Sequence, residues 1–196
     1  MKPLILLAGL PGTGKTTTAA RLLSELEDYI IIDQNQIRRE IGMKRMPKTQ
    51  EEVLRKIDKI TLKALLEDKG VIVESVNRYS FRRHQVYGIA SGCNKKVLTI
   101  ETICSEELSK KRLRERSKGD KFISDPRDTR VYDKLKISWE DILKFDYKYP
   151  GEDHVSYIKF NTTPGRQKVY RIVNGYHMKK FIDKVEKVLL KNIKEY

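Results

Sequence analysis

The octapeptide Gly9-Leu10-Pro11-Gly12-Thr13-Gly14-Lys15-Thr16 restricts the fold more than any other stretch of the chain. It satisfies the spacing G-x-x-x-x-G-K-[ST] at every fixed position. An apolar run, Leu4-Ile5-Leu6-Leu7-Ala8, precedes it, and Leu22, Leu23 and Leu26 follow in a helical pattern. Strand, glycine-rich turn and helix are therefore predicted in that order, the helix over about Lys15 to Ser24. The glycines let the backbone curl until successive N–H groups point into one concavity. The helix that begins there adds its positive N-terminal end. Such a cradle holds the phosphates of a nucleotide, and Gly9, Pro11, Gly12, Thr13, Gly14, Lys15, Thr16 and Thr17 are expected to form it. In this arrangement Lys15 reaches the β/γ-phosphates and the Thr16 hydroxyl holds Mg²⁺.

The rest of the chain continues as a parallel α/β pattern. Tyr29 to Asp33 reads as a second strand, so Asp33, Asn35 and Arg38 fall at its carboxyl end, where ligands sit in such sheets. Met43 to Thr49 reads as a connector. Glu51 to Asp68 reads as a helix with an apolar stripe of Val53, Ile57, Ile60, Ala64 and Leu65. Val71 to Ser75 is a third strand. Its Glu74 stands where a carboxylate steadies Mg²⁺ or its water shell. Asn77, Arg78, Arg82 and Arg83 open a basic turn and helix.

Val97 to Ile103 alternates as a fourth strand, and Glu106 to Arg116 is a strongly charged helix. Ser117 to Lys121 breaks it. A further helix is predicted from about Asp125-Pro126 through Val131, Leu135, Trp139, Ile142 and Leu143. Basic helix, glycine-containing break and second helix have the layout of a lid over about 112–130. A fifth strand covers Val155 to Phe160, the loop Asn161 to Gly165 lies at its carboxyl end, and a last helix runs from about His177 to Ile193. The expectation is one domain over residues 1–196, with no internal repeat.

Composition narrows the function. The 196 residues suffice for one core, and no stretch is long and apolar enough to span a membrane. The apolar N-terminus runs straight into the phosphate loop and reads as a strand, not a signal peptide. The two cysteines, Cys93 and Cys104, and the three histidines lack metal-ligand spacing. A reducing cytoplasm is the expected setting. The net charge of +14 draws in polyanions. Because the basic residues are spread along the chain, a lysine-rich solvated surface is the competing reading. Tyr147 and Tyr149 suit either stacking on bases or burial at the lid base.

A phosphate cradle, an arginine-rich lid and a nearby carboxylate point to phosphoryl transfer, chemistry carried by positioning and charge stabilisation. Arg112 and Arg116 are one helical turn apart, so both are expected on the phosphates, whereas Arg114 projects differently. An arginine so placed contributes about 10³–10⁵ in rate. The accepting hydroxyl needs a base, worth about 10²–10⁴.

Gly9 to Thr17, Asn35 to Arg38, Gly70 to Asn77, and Arg112 with Arg116 ahead of Lys118-Gly119 resemble the polynucleotide 5'-hydroxyl kinase and seryl-tRNA kinase group of P-loop kinases. The resemblance covers about the first three-quarters of the chain. It implies a P-loop NTPase three-layer sandwich with a five-stranded parallel sheet and a helical lid. It also implies ATP with Mg²⁺, and a hydroxyl acceptor, often on a nucleic acid. By the same resemblance, Arg38 serves the acceptor, and Arg112 and Arg116 the donor phosphates. Two positions depart from the group: Asn35 stands where it has an aspartate base, and Ser75 where it often has an aspartate before Thr-Asn. Asparagine cannot take a proton at neutral pH. Asp33 is therefore expected to be the base and Glu74 the magnesium-side acid. The reading is an ATP-dependent kinase acting on a 5'-end or a tRNA. A small-molecule kinase and a nucleotide-binding module without transfer are the alternatives. Asn94-Lys95-Lys96-Val97 lacks the aspartate that reads guanine, which disfavours a GTPase switch.

Overall fold

The computed structural model describes residues 2–41, 47–116, 128–146, 154–173 and 178–191. The elements in chain order are β1 (Leu4–Ala8), α1 (Lys15–Glu25), β2 (Tyr29–Asp33), α2 (Gln34–Glu40), α3 (Pro47–Leu66), β3 (Gly70–Glu74) and α4 (Ser80–Gly92). They continue as β4 (Val97–Ile103), α5 (Glu106–Arg114), α6 (Arg130–Ile137), α7 (Ile142–Asp146), β5 (Val155–Asn161), β6 (Lys168–Val173) and α8 (Lys179–Leu190).

The strands form one sheet in the order β2-β3-β1-β4-β5-β6. The first five are parallel. Every residue of β1 and β3 is buried, the mark of strands covered on both faces. On one face α1 and α8 pack through Ala19, Leu22, Ile182, Val185 and Leu189. On the other, α3 and α4 pack through Val53, Ile57, Val86 and Ala90. From β1 the chain moves outward to β2, returns as β3 beside β1, and then crosses to β4 on the opposite side. The crevice beyond the carboxyl end of β1 is thus a topological switch point, the place where open α/β sheets hold ligands. The glycine-rich octapeptide lies there.

Three expectations are corrected. The sheet has six strands, because β6 pairs antiparallel with β5. β6 is an edge strand, with Val169 buried while Tyr170 and Ile172 are exposed, so it lacks the continuous apolar run of the central strands. The helix expected over Asp125 to Leu143 is instead α6 and α7. Between them the Glu140 amide donates to Arg78 O at 3.0 Å and the Glu140 carboxylate accepts from the Ser80 amide at 2.5 Å. These long-range bonds pull the backbone out of helical register. Pro47 to Thr49, expected in a connector, form the first turn of α3, with Pro47 at the position proline favours. The rest of that connector, the break at Ser117 to Lys121, the Asp125-Pro126 start, Tyr147, Tyr149 and His177 lie outside the described residues. Among the described residues no helix is long and apolar enough to cross a membrane.

Candidate active site

The octapeptide is held from behind by its neighbours. The Thr13 hydroxyl donates to Leu10 O at 2.8 Å and shares a 2.7 Å bond with the Thr102 hydroxyl at the end of β4. Gly12 has φ +83°, and a Cβ there would stand 2.4 Å from Ser109 O on α5. Only glycine meets both demands. Gly12→Ala is expected to cost about 1–2 kcal/mol for handedness alone, before the clash is relieved. Urea titration should show that loss, and the rise in Tm on adding nucleotide should vanish.

Arg112 belongs to this bracing. Its Nη1 donates to Thr162 Oγ1 at 2.9 Å and to Gly12 O at 3.3 Å, and its Nη2 donates to Thr162 O at 2.8 Å. Thr162 Oγ1 in turn donates to Thr13 O at 2.8 Å. The expectation that Arg112 and Arg116 share the phosphates is not what the structure places together. Arg116 lines the cavity in front of the loop, while Arg112 ties the loop to the end of β5.

That cavity holds about 630 Å³, within the range of small-molecule sites. Pro11, Gly12, Gly14, Lys15, Thr16 and Thr17 line it from the side of the glycine-rich loop. Lys15 Nζ donates to Gly9 O at 2.8 Å and Leu10 O at 3.0 Å. Burial pushes its pKa down to about 8, against the pull of Glu74. The Thr16 hydroxyl donates to Glu74 Oε1 at 2.6 Å, so both expected magnesium-side residues meet at one point. Glu74 is 5% exposed, and burial raises its carboxyl pKa. The neighbouring Asp33 raises it too, and the Thr16 hydroxyl, Lys15 and Arg116 oppose the shift.

The opposite wall comes from β2, α2, α3 and the start of α4. Asp33 pairs in register with Glu74, which sets the two carboxylates side by side at the ends of adjacent strands. Asp33 also caps α2, accepting from the Asn35 amide at 2.8 Å. Asn35 Oδ1 accepts from Arg38 Nη1 at 3.3 Å, and Gln50 Oε1 accepts from Arg38 Nη2 at 2.5 Å. The Ser75 hydroxyl donates to Gln34 Oε1 at 2.5 Å. Both positions that depart from the kinase pattern therefore carry neutral side chains held in hydrogen bonds, Asn35 to the Arg38 guanidinium and Ser75 to Gln34. Asn77, at φ +48°, anchors the wall by donating from Nδ2 to Leu7 O at 2.7 Å.

Sequence reasoning missed Gln50, Tyr79 and Phe81, which also line the cavity. Gln50 had a signal: with Leu54 and Asp58 it recurs at every fourth residue of α3, one face of that helix. Among the described residues no group of three or more His, Cys, Asp or Glu is placed to hold a metal.

Residues 4–136 match the model of the AAA_33 family, described as an AAA domain. A stretch of 102 residues, 50% of this chain, is 31% identical to the L-seryl-tRNA(Sec) kinase of Methanococcus maripaludis. The chain spans 39% of that relative's length. Solved structures of the same fold include Chaetomium thermophilum Kti12 in complex with ADP-AlF3, at a TM-score of 0.61 and 19% identity over 96% of both chains. A gluconokinase from Sinorhizobium meliloti 1021 gives a TM-score of 0.55 at 13% identity, over 96% of this chain and 92% of that one. At such identities these two share the fold and carry no information on substrate.

Proposed function

Because the chain belongs to the AAA_33 family of P-loop kinases, we propose that it transfers the γ-phosphoryl group of ATP to a hydroxyl group of a nucleic acid. One observation carries this reading: the lysine-bearing loop and the Asp33–Arg38 wall face each other across a single cavity, with the Thr16–Glu74 contact between them.

Thr16 and Glu74 fit a Mg²⁺ ion. Two hard oxygens converge there, and such an ion keeps several waters and needs only one or two carboxylates from the protein. Bound there, Mg²⁺ supplies neutralisation of charge on the phosphate oxygens. Lys15 exchanges the carbonyls of Gly9 and Leu10 for phosphate oxygens, gaining the counter-charge that its burial denies it. Among the described residues the Arg116 side chain has no hydrogen-bond or ion-pair partner, so its guanidinium is available to the moving phosphoryl group. Asp33 takes the proton of the attacking hydroxyl, and Arg38, steadied by Asn35 and Gln50, orients the acceptor. Arg112 acts one step back, holding the shape of the loop.

The nucleic-acid acceptor is supported by the net charge of +14 and by the relative named for a tRNA substrate. The size of the cavity, about 630 Å³, favours a second reading, a small-molecule acceptor. Incubation with γ-labelled ATP and separate RNA, DNA and metabolite fractions decides between them. Label is expected in RNA or DNA, and raising salt from 50 to 200 mM should weaken the acceptor roughly tenfold or more if about three backbone phosphates are contacted. Label in metabolites with flat salt dependence supports the small molecule. Nucleotide binding without transfer to any fraction overturns the kinase reading.

A further inference from the structure

Arg82 and Arg83 are adjacent on α4, both buried, and their guanidinium groups are used differently. Arg83 grips Asp146 through its Nε/Nη2 edge, with both N···O distances 2.6 Å. Its Nη1 donates to the carbonyls of Asn77 and Arg78 at 2.9 and 3.0 Å. Arg82 turns Nη1 towards α3, donating to Asp58 Oδ2 at 2.9 Å and Gln85 Oε1 at 3.3 Å. Its Nε and Nη2, the same edge that holds a carboxylate in Arg83, are shielded from solvent and meet no hydrogen-bond partner among the described residues. Yet Arg82 is 5% exposed and lines the cavity, on the wall opposite Lys15.

A buried charged donor pair is costly to leave unmet, and this planar edge matches two oxygens of a carboxylate or phosphate. We propose that the Nε/Nη2 edge of Arg82 is an oxyanion subsite in the acceptor half of the cavity. It takes a phosphate or carboxylate that the acceptor carries apart from its reacting hydroxyl. The proposal rests on the acceptor half assigned above and names what it recognises. Arg82 is then a specificity-determining residue, because a neutral acceptor leaves the buried edge unpaired. Phe81, 61% exposed and stacked on Tyr79 at 5.6 Å, stands on the same wall as an aromatic shelf. A flat ring beside an oxyanion is the chemistry of a nucleotide unit.

The test uses inorganic phosphate as the probe. The full chain is first saturated with Mg²⁺ and a non-hydrolysable ATP analogue, so that the loop around Lys15 is taken. Phosphate is then titrated while the ³¹P linewidth and the arginine Nε resonances are followed. Saturable binding that shifts the Arg82 Nε signal is expected in the unaltered protein. Arg82→Gln should weaken it at least tenfold. Asp58→Asn should bind at least as tightly, since it removes a competing carboxylate while its amide oxygen can still accept from Nη1. Three results overturn the subsite: no saturable binding to the loaded protein, equal binding in Arg82→Gln, or equal weakening in Asp58→Asn and Arg82→Gln. The last would mark Arg82 as no more than the structural partner of Asp58.

Competition identifies the source of the oxyanion. Displacement of phosphate by a dinucleotide with a free 5'-hydroxyl assigns it to a polynucleotide backbone, and displacement by glycerol phosphate alone assigns it to a small metabolite. Displacement by neither counts against an acceptor-borne anion. None of these readouts requires phosphoryl transfer. If the analogue fails to bind, the kinase reading falls, while the comparison of the two variants still decides the subsite.

Discussion

Lys15→Ala should lower phosphoryl transfer by about 10²–10³-fold or more while leaving the fold intact, since it removes a preorganised donor to the developing charge. The geometry explains why the fold survives. Lys15 Nζ satisfies two carbonyls of a loop that Thr13, Thr102, Thr162 and Arg112 already hold. Burial lowers its pKa from 10.5 to about 8. Between those values the unfolded chain binds more protons than the folded one, so this group makes stability rise with pH from about 8 to about 10.5. Below pH 8 the folded protein bears the cost of a buried charge. Lys15→Ala should therefore have an equal or higher Tm at pH 7. Nucleotide phosphates restore the missing counter-charge and raise this pKa. Nucleotide binding should then take up protons at pH 8.5, take up few at pH 7, and weaken as pH rises through 8. Calorimetry in two buffers of different ionisation heat measures the uptake, and Lys15→Ala should abolish it. Unchanged uptake in that variant would remove Lys15 from the donor site.

The glycine-rich side of the cavity was legible because it is written in contiguous sequence. The strand, the glycines and Lys15-Thr16 fall within thirteen residues, and the ends Asp33 and Glu74 follow from two short apolar runs. The sheet's parallel core was legible for the same reason, since buried strands read as unbroken aliphatic stretches. What escaped depends on contacts between distant segments. Arg112 and Arg116 share a helical spacing, yet Thr162, fifty residues on from Arg112, draws that guanidinium behind the loop. Asp33 was recognised as a carboxylate near the site, but its capping of α2 depended on a helix start at Gln34 that the sequence reading missed. The α6–α7 break arises from Glu140 bonding to Arg78 and Ser80, sixty or so residues earlier, and no local propensity records it. Arg82 and Arg83 read as one basic turn, because residue type alone does not say which guanidinium is saturated.

That last distinction leads to the largest expected stability effect. Arg83 and Asp146 are both fully buried, and Tyr87 adds a hydroxyl donated to Asp146 Oδ2 at 2.9 Å. Asp146→Ala strands a guanidinium in the interior and should cost about 3–5 kcal/mol. For a domain of this size each kcal/mol shifts Tm by about 2–4 °C, so a fall of roughly 6–20 °C is expected by scanning calorimetry. Replacing both partners, Arg83→Met with Asp146→Leu, removes the stranded charge and should recover most of that loss. Activity should not recover with it. Arg83 also holds the carbonyls of Asn77 and Arg78, the segment that shapes the acceptor wall. The double variant should keep its nucleotide affinity and lose acceptor affinity, raising acceptor KM with little change in nucleotide KM. If the double variant regains both Tm and acceptor KM, the Arg83–Asp146 pair is a stability element alone, and the acceptor wall is set by the strand ends without it.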